Sequence, residues 1–418
     1  MLKVILSDRA YENDVYPLVK AFYPEEAVKV YSEEEYNGMG EVPAGYKGNG
    51  ELLSLCGEGQ ESRPGDTMDK IKIRFLPREI GISLLRENGD SQEECRPVQE
   101  GLTKSGYKNS MKRFLYQVLS KETGRTLPWG ILTGIRPTKL VYELLGQGET
   151  EEGIYRQMRR EYLCSDGKIA LSIEIAGREM ELLEEMEYQK GYSIYIGIPF
   201  CPSTCLYCSF TSYSVEKYAD TVEKYLAALE KEIASFTDCF PNKKLQTVYL
   251  GGGTPTTLSA QQLDRLLGLV KELYDFSEVR EFCVEAGRPD SITLEKLEVL
   301  KKQGVDRISI NPQSMQQRTL DLIGRKHSVE QVVEAFRLAR EAGHDNINMD
   351  IILGLPEETP EDVESTLRQI KDLNPDSLTV HTLAVKRAAR LNLEKEAYAN
   401  RRAIQVSRMH GGSHKPPS

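Results

Sequence analysis

The chain has 418 residues, 39% hydrophobic and 28% charged, an ordinary globular balance with room for two or three domains. Its formal net charge of -10 argues against a nucleic-acid groove as the main function, because phosphate binding wants a basic surface. Met1-Leu2-Lys3-Val4-Ile5-Leu6 is too short an apolar run for a signal peptide, and no stretch reads as a membrane span. Eight cysteines, three clustered and the rest dispersed, give no disulfide framework, so a reducing, cytoplasmic setting is expected. The sequence carries no signal for oligomeric state.

Residues 1 to about 100 read as a small α+β region. Strands are expected at Lys3–Leu6, Ala27–Tyr31 and Ile71–Phe75, with a helix near Val15–Phe22. Asn37 to Gly65 is glycine-rich, with Pro43 and Pro64, and reads as loop. A helix is expected over 107–122 and another over Lys139–Leu145. Between them Gly134 and Pro137 bracket Arg136 in a turn. Arg136 and Lys139 read either as an anion site or as solvated cations at a helix start. A stronger helix is expected over 168–190, ending at Gly191. These signals divide the chain into an N-terminal α+β and helical domain (1–165), a connecting helix (166–190), an αβ domain (191–385) and a C-terminal segment (386–418).

From Tyr192 the pattern becomes regular. Strands are expected at Ser193–Ile198, Gln246–Leu250, Val279–Glu285, Arg307–Asn311, Asn346–Ile352 and Ser377–Thr382. Helices are expected over 218–233, 259–273, 293–301, 328–341 and 360–371. This alternation reads as a (β/α)6 partial barrel, in which sites lie at the C-terminal ends of the strands.

The cluster Cys201-Pro202-Ser203-Thr204-Cys205-Leu206-Tyr207-Cys208 follows the first of these strands. Its C-x3-C-x2-C spacing lets three thiolates converge on a metal cluster from one loop. Zinc is the rival, but a structural zinc wants four protein ligands and no partner pair follows at that spacing. Cys56, Cys95, Cys164 and Cys239 have no partner at ligand spacing, and Cys283 reads as core. Gly251-Gly252-Gly253-Thr254 follows the second strand, where glycines would let backbone polar groups approach a ligand. His327, after Arg325 and Lys326, reads as solvated. His344 reads as structural, and His381 as a pocket-lining candidate.

Cys201, Cys205 and Cys208, with Tyr207 before the last, resemble the signature of the radical S-adenosylmethionine (SAM) enzymes. The frame Tyr195-x-Gly197-Ile198-Pro199-Phe200-Cys201 resembles the oxygen-independent coproporphyrinogen III oxidase family. Within it, the stretch Thr133-Gly134-Ile135-Arg136-Pro137-Thr138-Lys139 is similar to the HemZ-type coproporphyrinogen dehydrogenases. The resemblance runs to about residue 398. It implies a radical SAM fold, with a [4Fe-4S] cluster on the three cysteines and SAM at its open iron. The SAM pocket it implies comprises Tyr195, Gly251, Gly252, Gly253, Thr254, Glu285, Gln313, Arg325 and Asp350. Glu285 would hold the ribose hydroxyls and Arg325 the methionyl carboxylate. The implied reaction removes hydrogen from propionates of coproporphyrinogen III, and loss of CO2 and an electron gives the vinyl groups of protoporphyrinogen IX. A low-potential donor such as flavodoxin or ferredoxin would supply the electron.

Two features depart from the decarboxylases of that family. Phe210 stands where they carry a further cysteine, and Gly197 where they carry histidine. The phenylalanine is shared with the family's haem chaperones, so the expected tetrapyrrole partner is either substrate or haem, and a radical SAM enzyme with another substrate is the further alternative. Beyond about Asn400 the resemblance stops. The tail, with His410 and His414, reads as disordered and as a truncated or frame-shifted end, with turnover expected to suffer.

Overall fold

The computed structural model describes residues 1–38, 68–76, 78–186, 190–386 and 389–393. Most of the expected Asn37–Gly65 loop, Cys56, His410 and His414 lie outside the described residues. The chain forms two compact units, Met1–Leu183 and Glu184–Ser418.

In the first unit, β1 (Leu2–Leu6), α1 (Glu12–Phe22) and β2 (Val28–Ser32) make a parallel crossover. A short α2 (Glu33–Gly38) follows, so Asn37 is helical rather than loop. Strand β3 (Met68–Phe75) lies parallel to β1 and antiparallel to β4 (Glu79–Arg86), which pairs with β5 (Ser91–Pro97). The sheet order is β2-β1-β3-β4-β5. Strands β4 and β5 escaped the sequence reading. Yet Ile80, Ile82 and Leu84 alternate into the core, and Asn88-Gly89 closes the hairpin with Gly89 at φ 91°. Helix α3 (Lys104–Thr123) starts at a Thr103 cap and stops at Gly124, which is left-handed. Leu18 and Phe22 of α1 and Met111 and Leu115 of α3 bury fully in the core that contains Ile71 and Ile82.

Helices α4 (Pro137–Gly146), α5 (Glu151–Tyr162) and α6 (Asp166–Glu185) share a smaller core of Val141, Ile154, Met158 and Ile169. Helix α5 is a further element absent from the sequence reading. Gly130 makes this packing possible: a Cβ there would lie 1.9 Å from the Tyr162 carbonyl oxygen, at φ 56°.

The second unit repeats one motif. β6 (Gly191–Ile198) leads through a short pair, β7 (Phe200–Cys201) and β8 (Tyr213–Ser214), to α7 (Ala219–Ser235). Then come β9 (Lys244–Gly252), α8 (Ala260–Leu273), β10 (Glu281–Gly287), α9 (Leu294–Lys302) and β11 (Arg307–Gln313). Two helices follow, α10 (Gln317–Leu322) and α11 (Val329–Glu341), then β12 (Ile347–Leu353), α12 (Pro360–Leu373), β13 (Ser377–Thr382) and α13 (Arg390–Leu393). All six long strands are parallel and lie in sequence order, β6-β9-β10-β11-β12-β13. The sheet is open, with β6 and β13 at its edges. Helix starts are set locally: Ser259 with Gln262, Ser328 with Gln331, and Thr359 with Asp362 form reciprocal caps.

Parallel strands covered by helices are usually apolar on both faces. Here one face is: Val248, Leu250, Val284, Ile310, Met349 and Ile351 bury in one core with the helices. The alternate positions carry Tyr249, Glu285, Ser309, Asn348 and Asp350, a polar face. A polar face on a buried sheet needs a reason, and the strand ends supply it. Among the described residues no helix is long and apolar enough to cross a membrane.

Candidate functional site

The cysteine loop is held by backbone bonds at several points. Tyr213 donates to the Pro199 carbonyl at 2.8 Å and Val215 to the Cys201 carbonyl at 3.0 Å. Leu206 donates to the Ile323 carbonyl at 2.9 Å, and the Ser203 hydroxyl to the Gly324 carbonyl at 3.1 Å. These last two tie the loop to the turn after α10. Cys201, Cys205 and Cys208 all line one cavity of about 530 Å3. Thr254 Oγ1 lies 3.6 Å from the Cys201 sulfur, and Arg288 Nη1 3.9 Å from that of Cys205. Burial pushes the Cys201 and Cys208 thiols up, and the neighbouring cysteines add to it.

The glycine run also serves the packing of the cysteine loop. The Gly253 and Thr254 N–H groups donate to the Ile198 and Phe200 carbonyls, both at 2.7 Å. At Gly253 a Cβ would stand 2.6 Å from the Phe200 carbonyl oxygen and 3.0 Å from the Cys201 sulfur. Here the missing side chains let β9 cross against the cysteine loop, which clamps one to the other. Gly252, the last residue of β9, and Gly253 line the cavity.

Glu285, Gln313, Arg325 and Asp350 come together on that cavity from β10, β11, the turn after α10, and β12. Glu285 accepts a 2.6 Å hydrogen bond from the Tyr249 hydroxyl. Burial raises the Glu285 carboxyl above its usual range and Asp350 adds to this, while Tyr249 and Gly252 pull it back. Tyr195 stacks on Tyr249 with centroids 5.7 Å apart, and borders an adjoining cavity with Phe210, Gly252 and Glu285. Gln313 is buried in the left-handed region at φ 67°, where the β11–β12 register slips. A left-handed non-glycine residue stores strain, which is common where side chains must be aimed at a ligand. Arg325 is buried, donating to the Asn311 carbonyl and, at 3.3 Å, to the Tyr207 hydroxyl. Asp350 accepts from Asn348 at 2.6 Å, and His381 Nε2 stands 3.8 Å away on the cavity wall.

His327 corrects a sequence expectation. It is fully buried rather than solvated, because the turn that carries Arg325 folds inward. Burial drives its pKa down to about 4, so it is neutral at pH 7. His344 is also buried, its Nε2 3.0 Å from the Leu297 carbonyl. Cys283 is buried, its thiol pushed up to about 12 chiefly by burial. In the first unit, Arg136 pairs with Glu179, and Lys139 faces Glu143 at 3.9 Å. Arg288 and Asn311 escaped the sequence reading, although both line the cavity. Arg288 lies in Gly287-Arg288-Pro289-Asp290, just past a strand end, and that position was its one visible signal.

Residues 195–370 match the radical SAM superfamily. The chain is 43% identical over 306 residues to the oxygen-independent coproporphyrinogen-III oxidase-like protein HemZ of Bacillus subtilis, covering 72% of this chain and 61% of that protein. It is 38% identical to the heme chaperone HemW of Bacillus subtilis, over 46% of this chain and 51% of the relative. It is 34% identical to the oxygen-independent coproporphyrinogen III oxidase of Escherichia coli, over 47% of this chain and 42% of that enzyme. The chain thus spans less than two thirds of each of these relatives.

The family implies a [4Fe-4S] cluster and SAM, and the residues present fit both. Three cysteines of the C-x3-C-x2-C motif share one cavity. Asn311, Gln313 and Arg325 line it, and one buried polar atom of each, Oδ1, Oε1 and Nε, lacks a hydrogen-bond partner. Such atoms are costly to bury unless a ligand satisfies them. Among the described residues no three His, Cys, Asp or Glu side chains are grouped to hold a single metal ion. A cluster places each thiolate on a different iron, which asks for wider spacing than one shared ion does.

Proposed function

We propose that this chain is a radical SAM oxidoreductase acting on a tetrapyrrole, with oxidative decarboxylation of coproporphyrinogen III propionates as its reaction. The observation that carries this reading is the shared cavity: three cysteines, Glu285, Gln313 and Arg325, with orphaned polar atoms, at the ends of parallel strands. The similarity to the HemZ-named relative supplies the substrate class. In this reading Cys201, Cys205 and Cys208 hold the cluster. Arg325 meets the methionyl carboxylate and Glu285 the ribose hydroxyls, with Gln313 and Asp350 completing the pocket. The bound cluster and SAM supply radical chemistry when a low-potential donor provides an electron, and the protein supplies orientation and exclusion of water.

A second reading, a haem chaperone, rests on Phe210, which is 76% exposed beside the cavity where a further cysteine would be needed. The relative named as a heme chaperone supports it.

One experiment separates the two. Anaerobic reconstitution should load about four irons per chain, and the Cys201→Ala/Cys205→Ala/Cys208→Ala variant none. With SAM and reductant, loss of CO2 from coproporphyrinogen III supports the enzyme. Tight haem binding with untouched porphyrinogen supports the chaperone. Iron retained by the triple variant overturns the cluster assignment.

A further inference from the structure

Behind the cysteine loop lies a charged pair that the family signature does not contain. Arg288 is 3% exposed. Its Nε and Nη2 donate to the two Asp290 carboxylate oxygens at 3.0 and 2.6 Å, a fork-to-fork pair. Its remaining amine, Nη1, turns the other way. It donates to the Ser203 carbonyl at 2.9 Å and the Ser203 hydroxyl at 2.8 Å, and faces the Cys205 sulfur at 3.9 Å. The Ser203 hydroxyl in turn donates to Gly324, next to Arg325. On the far side of Asp290, His327 is fully buried, its Nδ1 3.9 Å from the carboxylate.

Burying a guanidinium is expensive, and a surface loop does not need one to close. The fork also exceeds what simple neutralisation requires: two donors fix the plane on Asp290, which leaves Nη1 aimed at the loop. A lysine, with one point of charge, could not make both sets of contacts.

We propose that Arg288 is a positioning residue, held by Asp290, that locks the cysteine loop through Ser203 and donates to the Cys205 sulfur, raising the reduction potential of a cluster bound there. This rests on the cluster assignment above. Reduction adds one electron to a cluster already surrounded by three thiolates. A buried N–H donor and positive charge beside one sulfur favour the reduced state, as hydrogen bonds to cluster sulfurs and local charge do generally. Asp290 works against this through its charge, while holding the donor in place.

The test uses the full chain, reconstituted with iron and sulfide and titrated with dithionite, the reduced cluster being read by electron paramagnetic resonance. In Arg288→Gln the equilibrium constant for reduction should fall about tenfold, which is 59 mV for one electron. Arg288→Lys should fall less. In Asp290→Asn, where the arginine charge is unmatched, the potential should move the opposite way. A purely structural role would instead move both variants the same way, with loss of iron, and that result overturns the proposal. An unchanged potential in Arg288→Gln also overturns it. Should Arg288→Gln fail to fold, Arg288→Lys is read in its place, and an unchanged potential there overturns the proposal. A wild-type chain that takes up no iron overturns the cluster reading and this proposal with it, whereas iron uptake with an unshifted Arg288→Gln potential overturns the proposal alone.

Discussion

The crossing of β9 against the cysteine loop can be tested with one methyl group. In Gly253→Ala the new Cβ would meet the Phe200 carbonyl oxygen at 2.6 Å, the Ile198 carbonyl oxygen at 2.9 Å and the Cys201 sulfur at 3.0 Å. Two of these neighbours are backbone, and both accept hydrogen bonds from the clamp itself, through the Gly253 and Thr254 N–H groups at 2.7 Å. Neither can yield without breaking the bonds that hold the loop. Overpacking of this kind costs about 1–3 kcal/mol, and loss of a clamp bond adds about 1 kcal/mol. The control is Gly177→Ala in α6, where a Cβ meets nothing within 4 Å. That change should stabilise by about 0.5–1 kcal/mol, as alanine does over glycine inside a helix. Urea unfolding compares the stabilities, and iron content after anaerobic reconstitution reports on the loop. Gly253→Ala should lose at least 1 kcal/mol by the overpacking estimate and bind less iron. Equal stability and full iron in both variants would refute the argument that this glycine exists for the crossing.

Glu358 predicts a pH dependence. It is 2% exposed, and burial lifts its carboxyl from 4.5 to about 7, with Asp362 adding to the rise and hydrogen bonds from Ser314 and Thr319 opposing it. The folded state therefore holds a proton there that the unfolded state has released, so stability falls as pH rises from 4.5 to about 7. The loss is about 3 kcal/mol when complete. Glu358→Gln should flatten this slope and be the more stable protein at pH 8, and equal slopes for the two chains in urea unfolding would sink the idea. Tyr249→Phe removes the 2.6 Å bond to Glu285 and should cost about 1.5–3 kcal/mol, the range for bonds to charged groups. It should also raise the Glu285 pKa, visible by carboxyl-specific infrared titration. An unshifted carboxyl band would show that the tyrosine does not hold the acid.

What the sequence determined by itself is what local pattern encodes. Alternating β and α periodicity from Tyr192 onward set six strands and their helices, and β13 at Ser377–Thr382 falls where the residues alone put it. Three cysteines at close spacing share one cavity, since one loop suffices to bring them together. The tertiary structure alone decided what depends on contacts between distant segments. Strand β5, polar and at a sheet edge, has no periodicity of its own and exists because β4 pairs with it. The left-handed Gln313 comes from a register slip between β11 and β12, and no residue type announces that. His327 looked solvated after two cations, but a turn folded it out of water. Arg288 had no role in the sequence reading, because what grips it is Asp290 on one side and, on the other, Ser203, 85 residues away. A short-range signal is written in a few consecutive side chains. Burial and pairing are properties of whatever the rest of the chain brings alongside.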